Sequence, residues 1–167
     1  MKFYIKADTE YDPDEAFPCD EDERADYARY TKSPELIEIY AFDPDDHVRC
    51  RVAENPNITE ELLRMLAQDS SWHTKCGVAW NPKTPSDILE MLSHDFDTDV
   101  RMNVAGNINA PVEVLQRLSK DPDTLVREAV AENTATPSFI LTDMYDNDID
   151  LNVRYTAYAN LVHRGDI

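Results

Sequence analysis

One stretch recurs along most of this chain, and its spacing restricts the fold more than any other feature. DPDTLVREAVAENTATP, from Asp121 to Pro137, has three upstream counterparts at a constant spacing of 26 residues. They are DFDTDVRMNVAGNINAP from Asp95, DSSWHTKCGVAWNPKTP from Asp69 and DPDDHVRCRVAENPNIT from Asp43. Each runs on into an apolar segment: TPSFILTDMYD, APVEVLQRLSK, TPSDILEMLSH and ITEELLRMLAQ. A fixed period of this size marks an architecture of stacked units, each unable to bury its own apolar face alone.

The matched positions read as a helix, a tight turn and a second helix. Val48, Thr74, Val100 and Val126 form one column, with Val52, Val78, Val104, Val130 four residues on and an alanine after each. Apolar residues at i, i+4 and i+5 make one stripe of a short helix. Asp43, Asp69, Asp95 and Asp121 precede it, where a carboxylate caps free N–H groups. Asn55, Asn81, Asn107 and Asn133 follow it, and asparagine tolerates the left-handed geometry that ends helices. Thr84-Pro85 and Thr136-Pro137 read as a capping residue followed by proline at the first helical position. Ile88, Leu89 and Leu92 then supply the second stripe, as do Val114, Leu115, Leu118 and Ile140, Leu141, Met144. Helices this short need tertiary partners.

The pattern V-R-x-x-V-A-x-N-P-x-T-P-x-x-L-x-x-L resembles the leucine-rich repeat variant family, a relative of the HEAT-like α-solenoids. The resemblance spans about residues 24–160. It implies an all-α, right-handed solenoid of about five helical-hairpin repeats, with the second helix of each unit short or 3₁₀. It implies no single activity. Some members carry a cysteine-ligated iron–sulfur cluster ahead of the repeats; this chain has only Cys19 there, so no cofactor is expected.

Two segments flank the regular copies. Residues 1–23 read as an acidic cap segment, and 24–167 as the repeat domain. MKFYIKA at the start alternates like a short strand or extended cap. It either covers the first repeat or offers an edge to a partner. Asp8 to Asp26 holds ten acidic residues against Arg24 alone, and reads as a loop or a partly disordered segment. A degenerate first repeat starts at Arg24, with Tyr27 in the second valine column and Ala28 in the alanine column. The last copy carries one extra residue, so that Val153-Arg154 falls 27 after Val126-Arg127. There Tyr158 takes the alanine position, as expected of a terminal unit, and Leu161–Ile167 reads as a short tail.

Charge bounds the partners. The formal net charge is −18, so nucleic acid and anionic membrane would repel the chain. A basic protein is the expected partner, and a monomer or weak homo-oligomer the expected state. No membrane-spanning run or signal peptide is visible. Three cysteines without a CxxC pair point to a reducing cytoplasm.

Three constellations bear on function. The basic column Arg49, Lys75, Arg101, Arg127, Arg154, with Arg24 before it, reads as a structural ladder. Its acceptors would be the aspartate column or helix-end carbonyls. His47-x-x-Cys50 and His73-x-x-Cys76 hold zinc-type donors one repeat apart. The later equivalents are Asp99 with Met102 and Leu125 with Glu128, so the column reads as surface and no metal is expected. Trp72, Cys76 and Trp80 fall at i, i+4 and i+8, where the other copies are mostly polar, so they face outward. With Met102 they form either a binding patch or a cover over the neighbouring repeat. Asp20, Glu21, Asp22 and Glu23 are the acidic candidates for contacting the same partner.

No enzyme motif accompanies these features. Three glycines leave no phosphate-cradling loop, and no nucleophile elbow or HExxH is present. The leading expectation is a non-enzymatic protein-interaction module. The alternative is a nucleic-acid-mimicking inhibitor of a DNA- or RNA-binding enzyme, resembling phage anti-restriction or anti-CRISPR proteins in charge and size. Mimicry requires carboxylates in rows at phosphate-like spacing.

Overall fold

The computed structural model describes residues 21–167, which form eleven α-helices and no strand. The MKFYIKA segment, Cys19, Asp20 and the acidic run before them lie outside the described residues. Odd-numbered helices are α1 (Glu21–Tyr30), α3 (Asp46–Ala53), α5 (Trp72–Trp80), α7 (Thr98–Gly106), α9 (Thr124–Glu132) and α11 (Leu151–Arg164). Even-numbered helices are α2 (Pro34–Tyr40), α4 (Glu60–Leu66), α6 (Ser86–Leu92), α8 (Val112–Leu118) and α10 (Ser138–Asn147). Each odd helix packs on the next odd helix; α2, α4, α6 and α8 each touch the odd helices before and after them, and α10 packs on α11.

The core runs along the junction of the two sets. Val52, Val78, Val104 and Val130 are fully buried, as are Ala53, Ala79, Ala105 and Ala131. Leu63, Leu89, Leu115 and Leu141 close the core from the even side. Burying a side chain of this size contributes about 1.5–3 kcal/mol. That gain holds seven-residue helices which would not persist in isolation. Tyr27 departs from its expected column: it is 59% exposed, and only Ala25 and Ala28 of α1 are buried. No other odd-numbered helix precedes α1 among the described residues to cover it. Leu161 is not tail but core, buried on α11, which continues to Arg164 and ends at Gly165 with φ 73°.

The recurring polar columns do different work from that expected. The N-caps of the odd helices are Asp45, Ser71, Asp97, Asp123 and Asp150, two residues beyond the first aspartate of each copy. Asp43, Asp69, Asp95 and Asp121 instead accept the backbone N–H two residues on and receive a cation from the preceding unit. Arg49 Nε donates to Asp69 at 2.7 Å while its Nη1 donates to the Asp43 carbonyl at 2.8 Å. Arg101 and Arg127 repeat this with Asp121 and Asp148, each Nε at 2.8 Å. Lys75 reaches Asp95 and Arg24 reaches Asp43. Arg154 differs, donating to the Tyr145 carbonyl at 2.8 Å.

The asparagines are not left-handed caps either. No described residue except Gly165 has positive φ. Asn81, Asn107 and Asn133 end their helices in extended geometry. Their buried amides donate backwards: Asn81 to the Ala53 carbonyl at 2.6 Å, Asn107 to Ala79 and Asn133 to Ala105 at 2.7 Å. Asn55 and Asn160 do the same with Ala28 and Ala131. Each amide thus satisfies a carbonyl that the end of the preceding helix leaves unpaired. Thr84 and Thr136 do not cap the even helices. Their hydroxyls donate to the Val78 and Val130 carbonyls at 2.6 and 2.7 Å, and Pro85, Pro111 and Pro137 take the N-cap position. The expected cap-then-proline order holds at Ser33-Pro34.

Candidate interaction groove

The outward positions of α5, α7 and α9 meet in a groove of about 510 Å³. Trp80 stands at the end of α5, 59% exposed. Met102 and Gly106 enter from α7, Leu125 and Ala129 from α9, and Ile108 from the turn after α7. Glu128 and Glu132 supply the charge. They sit one turn apart on α9, and neither makes an ion pair among the described residues. Many other carboxylates are neutralised: five hold the basic column, and Asp87 and Glu90 bridge even helices through Arg64 and Arg117.

Local sequence explains the opening. Position 106 is glycine where the other units carry Glu54, Trp80 and Glu132, and a Cβ added there meets nothing within 4 Å. The glycine leaves the groove unfilled between Trp80 and Glu132. Gly77 serves a different purpose. A Cβ there would stand 2.6 Å from the Cys50 carbonyl and 3.0 Å from the Ala53 Cβ, so α3 and α5 approach closely at this point.

A second hollow, about 490 Å³, opens at the α1–α3–α5 end. It gathers Glu21, Asp22, Asp46, His47, Cys50, Glu54 and His73. Ser71 Oγ donates to Asp46 at 2.5 Å, and His73 Nδ1 lies 3.4 Å away. These contacts, the serine hydrogen bond foremost, hold the Asp46 carboxyl below its usual range. No three His, Cys, Asp or Glu side chains converge as a metal site among the described residues. Burial pushes the Cys50 thiol up to about 11, with Glu54 adding to the shift. Burial pushes Cys76 up to about 12.

The candidate residues are therefore divided. Trp80 and Met102 share the groove; Trp72 and Cys76 do not line it. Trp72 lies 40% exposed against His73, ring centroids 3.7 Å apart, and Cys76 packs on the core. Glu21 and Asp22 line the second hollow and Glu23 lines neither; all three stand in the first turn of α1, where a loop was expected. Leu125, Ile108 and Glu132 complete the groove without having stood out as site residues. The sequence signal for them was weak: Leu125 and Ile108 are apolar where other copies have His47, His73, Asp99 and Pro56, Pro82, Thr134. No helix among the described residues is long and apolar enough to cross a membrane. Comparison with protein-family models, with curated proteins and with solved structures returned no match.

Proposed function

We propose that this chain is an α-solenoid interaction module, built from about five helical hairpins, that holds a basic protein. The serial packing of odd helices supports the solenoid arrangement, as do two polar columns that each tie one unit to the next. The observation that carries the function is an exposed apolar groove containing Trp80 and two unpaired glutamates, on a chain of charge −18. Long-range charge steers a basic partner in, and burial of the tryptophan retains it.

The nucleic-acid-mimic alternative receives less support. The carboxylate row that recurs at fixed spacing, Asp43 to Asp148, is engaged by Arg24, Arg49, Lys75, Arg101 and Arg127. Those charges are neutralised and are not displayed as a phosphate-like array.

Capture from cell lysate by the immobilised protein, with and without excess duplex DNA, tests the reading. The expected result is a basic protein that salt elutes, DNA does not displace, and the double variant Trp72→Ala/Trp80→Ala fails to retain. Capture abolished by DNA would transfer the assignment to mimicry. Capture indifferent to both tryptophans would remove the proposed surface.

A further inference from the structure

We infer that the groove between α5, α7 and α9 binds an arginine-bearing linear segment, with an apolar side chain in the groove and a guanidinium across Glu128 and Glu132. The inference rests on the interaction-module reading and names the chemistry of what that module holds. Three observations converge on one occupant. The groove volume, about 510 Å³, lies in the range that accommodates a few side chains rather than a folded face. Its wall is aromatic and aliphatic, from Trp80, Met102, Leu125 and Ala129.

Its rim then carries two like charges four residues apart on one helix, an arrangement that repels itself. No cation among the described residues pairs with either glutamate, although Arg and Lys side chains meet carboxylates elsewhere along them. Glu128 and Glu132 lie about 6 Å apart along the α9 axis. A planar guanidinium engages carboxylates through its fork of donors. It also stacks on indole rings, and the half-exposed Trp80 lines the same groove. An acidic or purely apolar occupant would leave the pair uncompensated.

Gly106 makes the inference testable without disturbing the fold. A side chain there extends into open space, so Gly106→Leu fills the groove at constant charge and improves helix propensity. The probe is a fluorescein-labelled synthetic peptide, Gly-Arg-Leu-Arg-Gly-Arg-Leu-Arg-Gly, with a citrulline-for-arginine counterpart. Binding is followed by anisotropy at physiological salt. Gly106→Leu and Glu128→Gln/Glu132→Gln are each expected to weaken arginine-peptide binding by about tenfold or more. Glu61→Gln/Glu113→Gln, which removes two exposed charges from α4 and α8, is expected to stay within about twofold. The citrulline peptide is expected to bind no better than the groove variants bind arginine.

Unchanged affinity in Gly106→Leu would overturn the inference. So would equal weakening by the remote pair, which would reduce binding to diffuse charge. Failure of the module reading is a different result. A protein captured equally by wild type and Gly106→Leu, but lost with Trp72→Ala, refutes the groove and keeps the module. Absence of any capture refutes both.

Discussion

At the scale of single residues, two glycines in equivalent helices have opposite requirements. Gly77 sits where a methyl group would press on the Cys50 backbone oxygen at 2.6 Å, and a backbone atom within a helix does not yield easily. Overpacking of this kind costs about 1–3 kcal/mol, against a propensity gain of about 1 kcal/mol for alanine. Gly77→Ala is therefore expected to lower the urea midpoint. Gly106→Ala has only the gain and is expected to raise it. The thiols give a second test. With Cys50 pushed up to about 11 and Cys76 to about 12, almost none of either is thiolate at pH 8, and thiolate is the reactive species. Peptide mapping after brief iodoacetamide treatment should find both positions unmodified in the native protein and fully modified in denaturant. Rapid native labelling at Cys76 would show that the helix face around it opens.

At the scale of the helix and its joints, stability resides in contacts between units. Arg127 and Asp148 have side chains only 7% and 5% exposed. Arg127→Ala strands a buried carboxylate, a change that costs about 3–5 kcal/mol. Arg154 holds only a carbonyl and has no ion pair among the described residues, so Arg154→Ala is expected to cost under about 1 kcal/mol by chemical denaturation. Acid acts on the same joints. Burial raises the Asp69 and Asp95 carboxyls, but hydrogen bonds from Arg49 and Lys75 and from backbone N–H groups outweigh it, and both titrate below the usual range. Their folded pKa is lower than the unfolded one, so they stabilise the fold above about pH 3.9 and cease to do so as pH falls through the folded value. Relief of the repulsion from the −18 charge works the other way on first acidification. Denaturant midpoints are expected to rise slightly from pH 7 to about 5 and to drop below about 4; Asp69→Asn should blunt the drop.

These joints also show what one sequence reveals. The apolar columns were legible because a buried stripe has a period, and Val52, Val78, Val104 and Val130 lie where that period put them. The polar columns were legible as columns but not as bonds. An aspartate before a helix caps its own helix or meets the neighbour's arginine, and the residue alone does not distinguish the two. The same ambiguity hid the backward reach of Asn81 and Asn107. The groove was half legible. Trp80 stood out against Glu54 and Glu132, and Met102 lay beside it on the outward face, whereas the other wall depends on how α7 meets α9, a relation that no single unit encodes.

At the scale of the whole molecule, equal joints imply interchangeable units. Arg49 reaches 20 residues forward to Asp69, and Arg101 reaches 20 forward to Asp121. Asn81 and Asn107 each reach 28 residues back to an alanine carbonyl. Excising residues 69–94, one full period, brings Asp95 to Arg49 and Asn107 to the Ala53 carbonyl, so the bonds of these two columns keep a donor and an acceptor across the new joint, although Arg117 exchanges Ser93 and Glu90 for Ala67 and Arg64. Excising 82–94 instead removes α6 alone and abuts two odd helices with no even helix between them. The full-period variant is expected to keep its helical circular dichroism and a cooperative urea transition at a lower midpoint, as nearest-neighbour stacking requires. The half-period variant is expected to lose cooperativity. If both deletions unfold alike, the units are not equivalent and the solenoid reading fails. The full-period variant also separates fold from function, because it removes Trp72 and Trp80 while leaving Glu128 and Glu132 in place. A protein that folds and keeps its carboxylates yet no longer holds the arginine peptide would assign retention to the aromatic wall and leave only steering to the charge.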